Sequence, residues 1–180
     1  MERIVVVGCS GSGKSTLAAR LADHLGIPHV ELDAIYHQPG WTPLAEEAFR
    51  ERVEDSLAAD RWVVDGNYSA VRDLVWARAD TVVWLDLPRW RVMSQLVPRT
   101  VGRAVTRREL WNGNREPLTG IFRWHPHRSI LRWAWTTHAK VRDRYTAAMR
   151  DPEHADLCFV RLRSRAEVRR WLTEVVPARG

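Results

Sequence analysis

The sequence predicts an α/β protein, a parallel sheet covered by helices on both faces. Short β-branched runs alternate with longer amphipathic stretches, the pattern of strand–helix–strand units. The run Ile4–Val7 passes through a glycine loop directly into helical spacing. A later run, Thr81–Leu87, is apolar enough to be an inner strand buried on both sides. At 180 residues the chain suits one domain, spanning 1–180.

Each element has its own signal. Ile4–Val7 is the first strand. Leu17, Ala18, Leu21, Ala22 and Leu25 then recur at helical spacing, and Gly26-Ile27-Pro28 ends that helix. His29–Leu32 reads as a second strand ending at Asp33, and Pro39-Gly40 as a turn. Thr42-Pro43 reads as an N-cap with proline at the first position of a second helix, whose inner face is Phe49, Val53 and Leu57. Trp62–Val64 is a third strand running into Asp65-Gly66-Asn67-Tyr68, and Thr81–Leu87 is the fourth. After Pro88, apolar residues at 92, 93, 96, 97, 101, 104 and 105 mark a helix that Pro98 should kink or divide. Residues 109–120, with Asn112-Gly113-Asn114 and Pro117, read as a loop. Helical pattern resumes through about 121–150. Leu157–Leu162 is a fifth strand, and Ser164 with Glu167 forms a capping box for the last helix.

Composition removes several function classes. Apolar residues at 45% and charged residues at 28% argue against global disorder. No apolar run approaches the roughly 18 residues of a membrane span. Cys9 and Cys158 make neither a CxxC pair nor a zinc pattern, and His125-Pro126-His127 has no further ligands at metal-binding spacing. A cytoplasmic protein is expected. Of the 28 basic residues only Lys14 and Lys140 are lysines. Residues 1–88 hold 8 basic and 14 acidic side chains, whereas residues 89–150 hold 14 and 3, so an anionic partner is expected for the middle segment. Most of the 10 tryptophans are expected in the core, with Trp41, Trp111 and Trp124 in or beside loops.

The chemistry concentrates in Gly8-Cys9-Ser10-Gly11-Ser12-Gly13-Lys14-Ser15, a complete G-x-x-x-x-G-K-[ST] phosphate loop between a strand and a helix. Its glycines let successive backbone N–H groups curl inward around phosphate oxygens, and the helix N-terminus adds its positive end. Lys14 reaches the β- and γ-phosphates, the Ser15 hydroxyl can ligate Mg²⁺, and Thr16 completes the nucleotide-binding run Gly8–Thr16. Asp65, ending the third strand, is the candidate second Mg²⁺ residue, with a solvated turn aspartate as the alternative. Asp33 ends the second strand, where the carboxyl ends of a parallel sheet form a binding crevice. It is the candidate for the phosphoryl acceptor, the alternative being a cap or turn carboxylate. Arg99, Arg103 and Arg107 recur every four residues on one helical face, where guanidinium forks suit a transferring phosphoryl group. The alternative for them is a solvated face.

The chain resembles the adenylate-kinase branch of the P-loop kinases, and within it the small bacterial proteins called adenylate kinase-like or DNA topology modulation protein. The resemblance is carried by "GCSGSGKST", "ELDAIYHQPGW", "WVVDGNYS", "TVVWLDLP", "RTVGR" and "ELWNGNRE". Two features depart from adenylate kinases. Only 28 residues separate Asp33 from Trp62, closer to the single-helix arrangement of shikimate- or gluconate-type kinases. Asn67-Tyr68 also stands where adenylate kinases carry Phe-Pro-Arg after Asp-Gly.

The resemblance implies a three-layer α/β/α P-loop NTPase fold, with a five-stranded parallel sheet ordered 2-3-1-4-5 and a helical, arginine-rich lid over 89–135. It implies an ATP- and Mg²⁺-dependent phosphotransferase acting on a nucleotide or small hydroxyl metabolite. Lys14, Arg99, Arg103 and Asp33 would act in catalysis, while Asp33, Asn67 and Arg72 would face the acceptor. Its partners would be ATP and a small acceptor, with no membrane and no specific nucleic acid. The competing expectation is a nucleic-acid-binding regulator switched by ATP, which the basic segment favours and the lack of any DNA- or RNA-binding signature opposes.

Overall fold

Strand β1 (Arg3–Gly8) turns Ile4 and Val6 to one face of a sheet and Val5 and Val7 to the other, all four at most 2% exposed. That alternation creates two cores, so helices must cover both faces. The structure, a computed structural model, describes residues 1–106, 109–115 and 130–175. Its parallel sheet combines β1 with β2 (His29–Glu31), β3 (Trp62–Asp65), β4 (Thr81–Leu85) and β5 (Cys158–Leu162). The order is β2-β3-β1-β4-β5, the 2-3-1-4-5 arrangement expected. The register sets Val6 opposite Asp65, and Glu31 opposite Asp65 on the far side of β3.

On one face, Ile4, Val6, Val63 and Val83 meet Leu17, Ala18 and Leu21 of α1 (Lys14–Leu25) and Leu172 of α7 (Arg165–Val175). On the other, Val5, Val64, Val82 and Trp84 form one cluster with residues of three helices. Phe49 and Val53 come from α3 (Glu46–Ser56), Val75 and Trp76 from α4 (Arg72–Arg78), and Tyr145 from α6 (Ile130–Ala148). Helix α6 is also tied down by charge. Asp86, just after β4 and 4% exposed, accepts from Arg142 Nε of α6 at 2.9 Å and from Arg161 Nη2 of β5 at 2.7 Å. Buried His138 places Nε2 2.9 Å from the Leu87 carbonyl.

Several expectations change. The second strand stops at Glu31, and a short helix α2 (Leu32–Tyr36) carries Asp33 in its first turn. Thr42-Pro43 starts no helix, because Gly40 and Trp41, both at positive φ, reverse the chain and return that dipeptide antiparallel to His37–Gln38. Helix α5 (Arg89–Thr106) runs through Pro98 undivided. Pro98 is exposed, where a carbonyl deprived of its usual donor can meet water. Val92 and Leu96 of α5 are buried, but Val97, Val101 and Val105 face outward. Among the tryptophans whose side chains are described, Trp62, Trp76 and Trp84 are buried and the others are half-buried or exposed. The capping box forms as read, with the Glu167 N–H donating to Ser164 Oγ at 3.1 Å. Arg107, Trp124, the 125–127 motif and most of the stretch between α5 and α6 lie outside the described residues. Among the described residues no helix is long and apolar enough to cross a membrane.

Candidate functional site

The carboxyl ends of β1, β3 and β2 carry the residues singled out by the sequence, and strand pairing sets their order. The loop after β1 winds through Gly8, Gly11 and Gly13, each at positive φ. At Gly11 the need for glycine is spatial as well. A Cβ there would lie 2.8 Å from Leu96 Cβ and 3.3 Å from the Val92 carbonyl, because α5 packs directly on the loop. Lys14 folds back so that Nζ donates to the Cys9 carbonyl at 3.4 Å. Helix α1 begins without a capping side chain, which leaves its leading N–H groups for an anion. Ser15 and Thr16 are exposed on its first turn, Ser10 is half-buried, and Ser12 is buried with no hydrogen-bond partner for Oγ among the described residues. Burial pushes the Cys9 thiol up to about 11, against the opposing pull of Lys14.

Asp65 is 1% exposed at the end of β3, one strand from the loop, with Oδ2 3.1 Å from His29 Nε2. Among the described residues, no cluster of three or more His, Cys, Asp or Glu could cage a metal ion. One carboxylate and one hydroxyl, Asp65 and Ser15, are nonetheless the kind of oxygen set that Mg²⁺ uses when phosphates and water supply its other ligands.

Asp33 gains a partner the sequence did not indicate. Tyr68 donates its hydroxyl to Asp33 Oδ1 at 2.6 Å, with His37 Nε2 3.4 Å from the same hydroxyl. Tyr36 and Phe49 hold the Tyr68 ring, with centroids 4.7 and 5.2 Å away. Burial, then the charge of Asp33, raises the Tyr68 phenol well above its ordinary value, so it stays a donor. Burial lowers His37, with Asp33 acting the other way.

A second surprise is residues 109–115. Trp111 Nε1 donates to Glu31 Oε2 at 2.8 Å, and Asn112 Nδ2 lies 3.0 Å from the Ala34 carbonyl and 2.6 Å from that of His37. Asn114 accepts from the Trp41 N–H at 2.9 Å and donates to the Gln38 carbonyl at 2.9 Å. The segments "ELDAIYHQPGW" and "ELWNGNRE" therefore dock on each other beside Asp33. The sequence does not show this fit, because the partners, most of them backbone groups, lie more than 70 residues away.

Two residues expected at the acceptor make other contacts in this structure. Asn67 spends its amide on the backbone of Gly8 and on Tyr145. Arg72 sets its guanidinium carbon 5.8 Å over the Trp76 ring and lines a small cavity with Asn67 and Tyr145. Arg99 is exposed and Arg103 half-buried on α5, beyond the turn that touches Gly11.

Comparison with known proteins follows the same architecture. The family described as "AAA domain" matches residues 3–88. A shikimate kinase of Symbiobacterium thermophilum is 32% identical over 126 residues, covering 61% of this chain and 70% of that one. An adenylate kinase of Mycobacterium sp. strain MCS is 29% identical over 131 residues, covering 57% of this chain and 71% of that one. Among solved structures, a gluconokinase from Sinorhizobium meliloti 1021 superposes with a TM-score of 0.51 at 20% identity, over 97% of this chain and 93% of that one. Shikimate kinase from Aquifex aeolicus gives 0.50 at 16% identity, over 96% and 95%. At such identities these two speak to the fold.

Proposed function

This chain belongs to the P-loop kinases, and from that premise we propose that it transfers the γ-phosphoryl group of ATP to a hydroxyl of a small molecule. The observation that carries the reading is Asp33, held by Tyr68 in the helical turn just beyond β2, near the strand end that carries a complete phosphate loop. Only β3 separates β1 from β2, so at ordinary strand spacing the two features lie about 10 Å apart. That span suits a triphosphate tail on one side and an acceptor on the other.

The chemistry is positioning and charge neutralisation. The loop N–H groups, the start of α1 and Lys14 hold the β- and γ-phosphates. With Oδ1 engaged by Tyr68, Asp33 presents Oδ2 to the acceptor hydroxyl, orients it for in-line attack and takes up its proton. Arg99 and Arg103 offset the charge on the transferring group. Ser15 and Asp65 would hold Mg²⁺, which supplies further neutralisation of the phosphate oxygens when bound.

The test is ATP consumption against a panel of nucleoside monophosphates, hydroxy acids and neutral polyols, with Asp33→Asn beside the wild type. One acceptor class should support turnover, and the variant should lose it while binding MgADP normally. If turnover survives and nucleotide binding is lost, Asp33 belongs to the nucleotide site and the acceptor assignment is wrong. The positive charge of residues 89–150 favours a second reading, an ATP-switched nucleic-acid binder. It requires duplex DNA affinity whose logarithm falls with log salt at about −0.9 per phosphate contacted.

A further inference from the structure

Asn67 occupies a position that neither the phosphate-loop motif nor the acceptor assignment explains. The Gly8 N–H donates to its Oδ1 at 3.3 Å, its Nδ2 donates to the Gly8 carbonyl, and Tyr145 donates its hydroxyl to the same Oδ1 at 2.9 Å. The amide's orientation is fixed by its partners, since a backbone N–H can only donate and a carbonyl can only accept.

Sheet geometry explains why this contact exists. Alternate residues of β1 turn their backbone groups toward β3, and the Gly66 N–H donates to the Val6 carbonyl at 3.4 Å as the last backbone rung. Gly8 is next on that edge, but β3 ends at Asp65 and the chain turns away at Gly66, φ +147. The side-chain amide of Asn67 has the donor and acceptor of a peptide unit. It adds the missing rung and pins the residue at which the phosphate loop leaves the sheet. Tyr145, 1% exposed on α6, holds the amide in place. Burial pushes its phenol up to about 12, so it remains a donor throughout the physiological range.

We propose that Asn67 is a positioning residue of the phosphate loop, acting through Gly8, and that Tyr145 couples helix α6 to the loop through it. The inference rests on the loop being the nucleotide site, as proposed above. Aspartate cannot replace it, because a carboxylate lacks the donor for the Gly8 carbonyl. Phenylalanine at 145 removes the bond to Asn67 Oδ1 and leaves both bonds to Gly8.

Two measurements on wild type, Asn67→Asp, Asn67→Ala and Tyr145→Phe test this: calorimetric titration with MgADP, and amide hydrogen exchange along β1 without nucleotide. Asn67→Asp and Asn67→Ala should weaken MgADP binding by about tenfold or more, and Tyr145→Phe by about threefold to tenfold. The Gly8 amide should exchange at least about tenfold faster in Asn67→Ala while Val5 and Val6 keep their protection. That local signature separates positioning from general destabilisation. Should Asn67→Ala not fold, Tyr145→Phe decides by the same two readouts. MgADP affinity and Gly8 exchange both within twofold of wild type would overturn the proposal. A wild type that binds no MgADP would refute the nucleotide-site reading itself, while the exchange data would still report on the Asn67 rung.

Discussion

Replacing Gly11 with alanine should be far more damaging than the same change two residues later. Gly11 sits at φ +84, and its Cβ would fall 2.8 Å from Leu96 Cβ, 3.2 Å from Leu96 Cδ1 and 3.3 Å from the Val92 carbonyl. Leu96 is 0% exposed and one of its clashing atoms is its own Cβ, so the clash cannot be relieved by rotation alone. Restoring a carbon–carbon distance of about 3.8 Å asks α5 to move roughly 1 Å from the loop. Left-handed backbone costs a side-chain-bearing residue about 1–2 kcal/mol. Overpacking adds about 1–3 kcal/mol. The sum, about 2–5 kcal/mol, corresponds to a melting point lowered by roughly 4–20 °C in a domain of this size. Gly13 provides the control, with φ +96 and nothing within 4 Å of its Cβ position. Gly13→Ala should therefore carry only the backbone cost, roughly 2–8 °C. Differential scanning fluorimetry without nucleotide measures both. If the two variants melt within about 2 °C of each other, α5 does not bear on the loop as described.

Lys14→Ala should leave the melting point close to wild type but reduce phosphoryl transfer by about 10²–10³-fold at saturating MgATP, and activity within twofold of wild type would remove Lys14 from its role. The two cysteines should also separate. Cys9 is buried with its thiol raised to about 11, so it stays protonated below that pH, whereas Cys158 is exposed. At pH 8, Ellman's reagent should therefore titrate one thiol in the native protein and two in denaturant, and two fast native thiols would contradict the burial of the loop.

The parts of the fold legible in the sequence are those set by local pattern. Val5, Val64 and Val83 belong to β-branched runs with no polar interruption, and such runs have nowhere to go but a doubly covered sheet. The phosphate loop was equally legible, because its glycine spacing and Lys14 are one contiguous word. Thr42-Pro43 is ambiguous in sequence, because a cap before proline and an extended pair look alike locally. The choice was made by Trp41 adopting positive φ, which a tryptophan's own propensities do not announce. Asn67 stands out in the sequence by its place after Asp-Gly, but its use depends on where β3 runs out beside a strand 59 residues earlier. Tyr68 and Asp33 likewise meet only once β2 and β3 lie side by side.

The docking of residues 111–114 onto 31–41 also bears on the order in which the molecule assembles. Its hydrogen bonds join groups 73 to 80 positions apart, and none is a rung between strands of the sheet. The entropy of closing so long a loop must be met before any of those bonds contributes, so they form after the β2–β3–β1 pairing has brought both segments near. Opening runs in reverse. Trp111, Asn112 and Asn114 belong to neither buried core, so these contacts are expected to open at lower cost than the sheet, as a local unit beside the proposed acceptor residue. On the proposed reading, the molecule would then be held more firmly where it binds the phosphates than where it chooses what receives them.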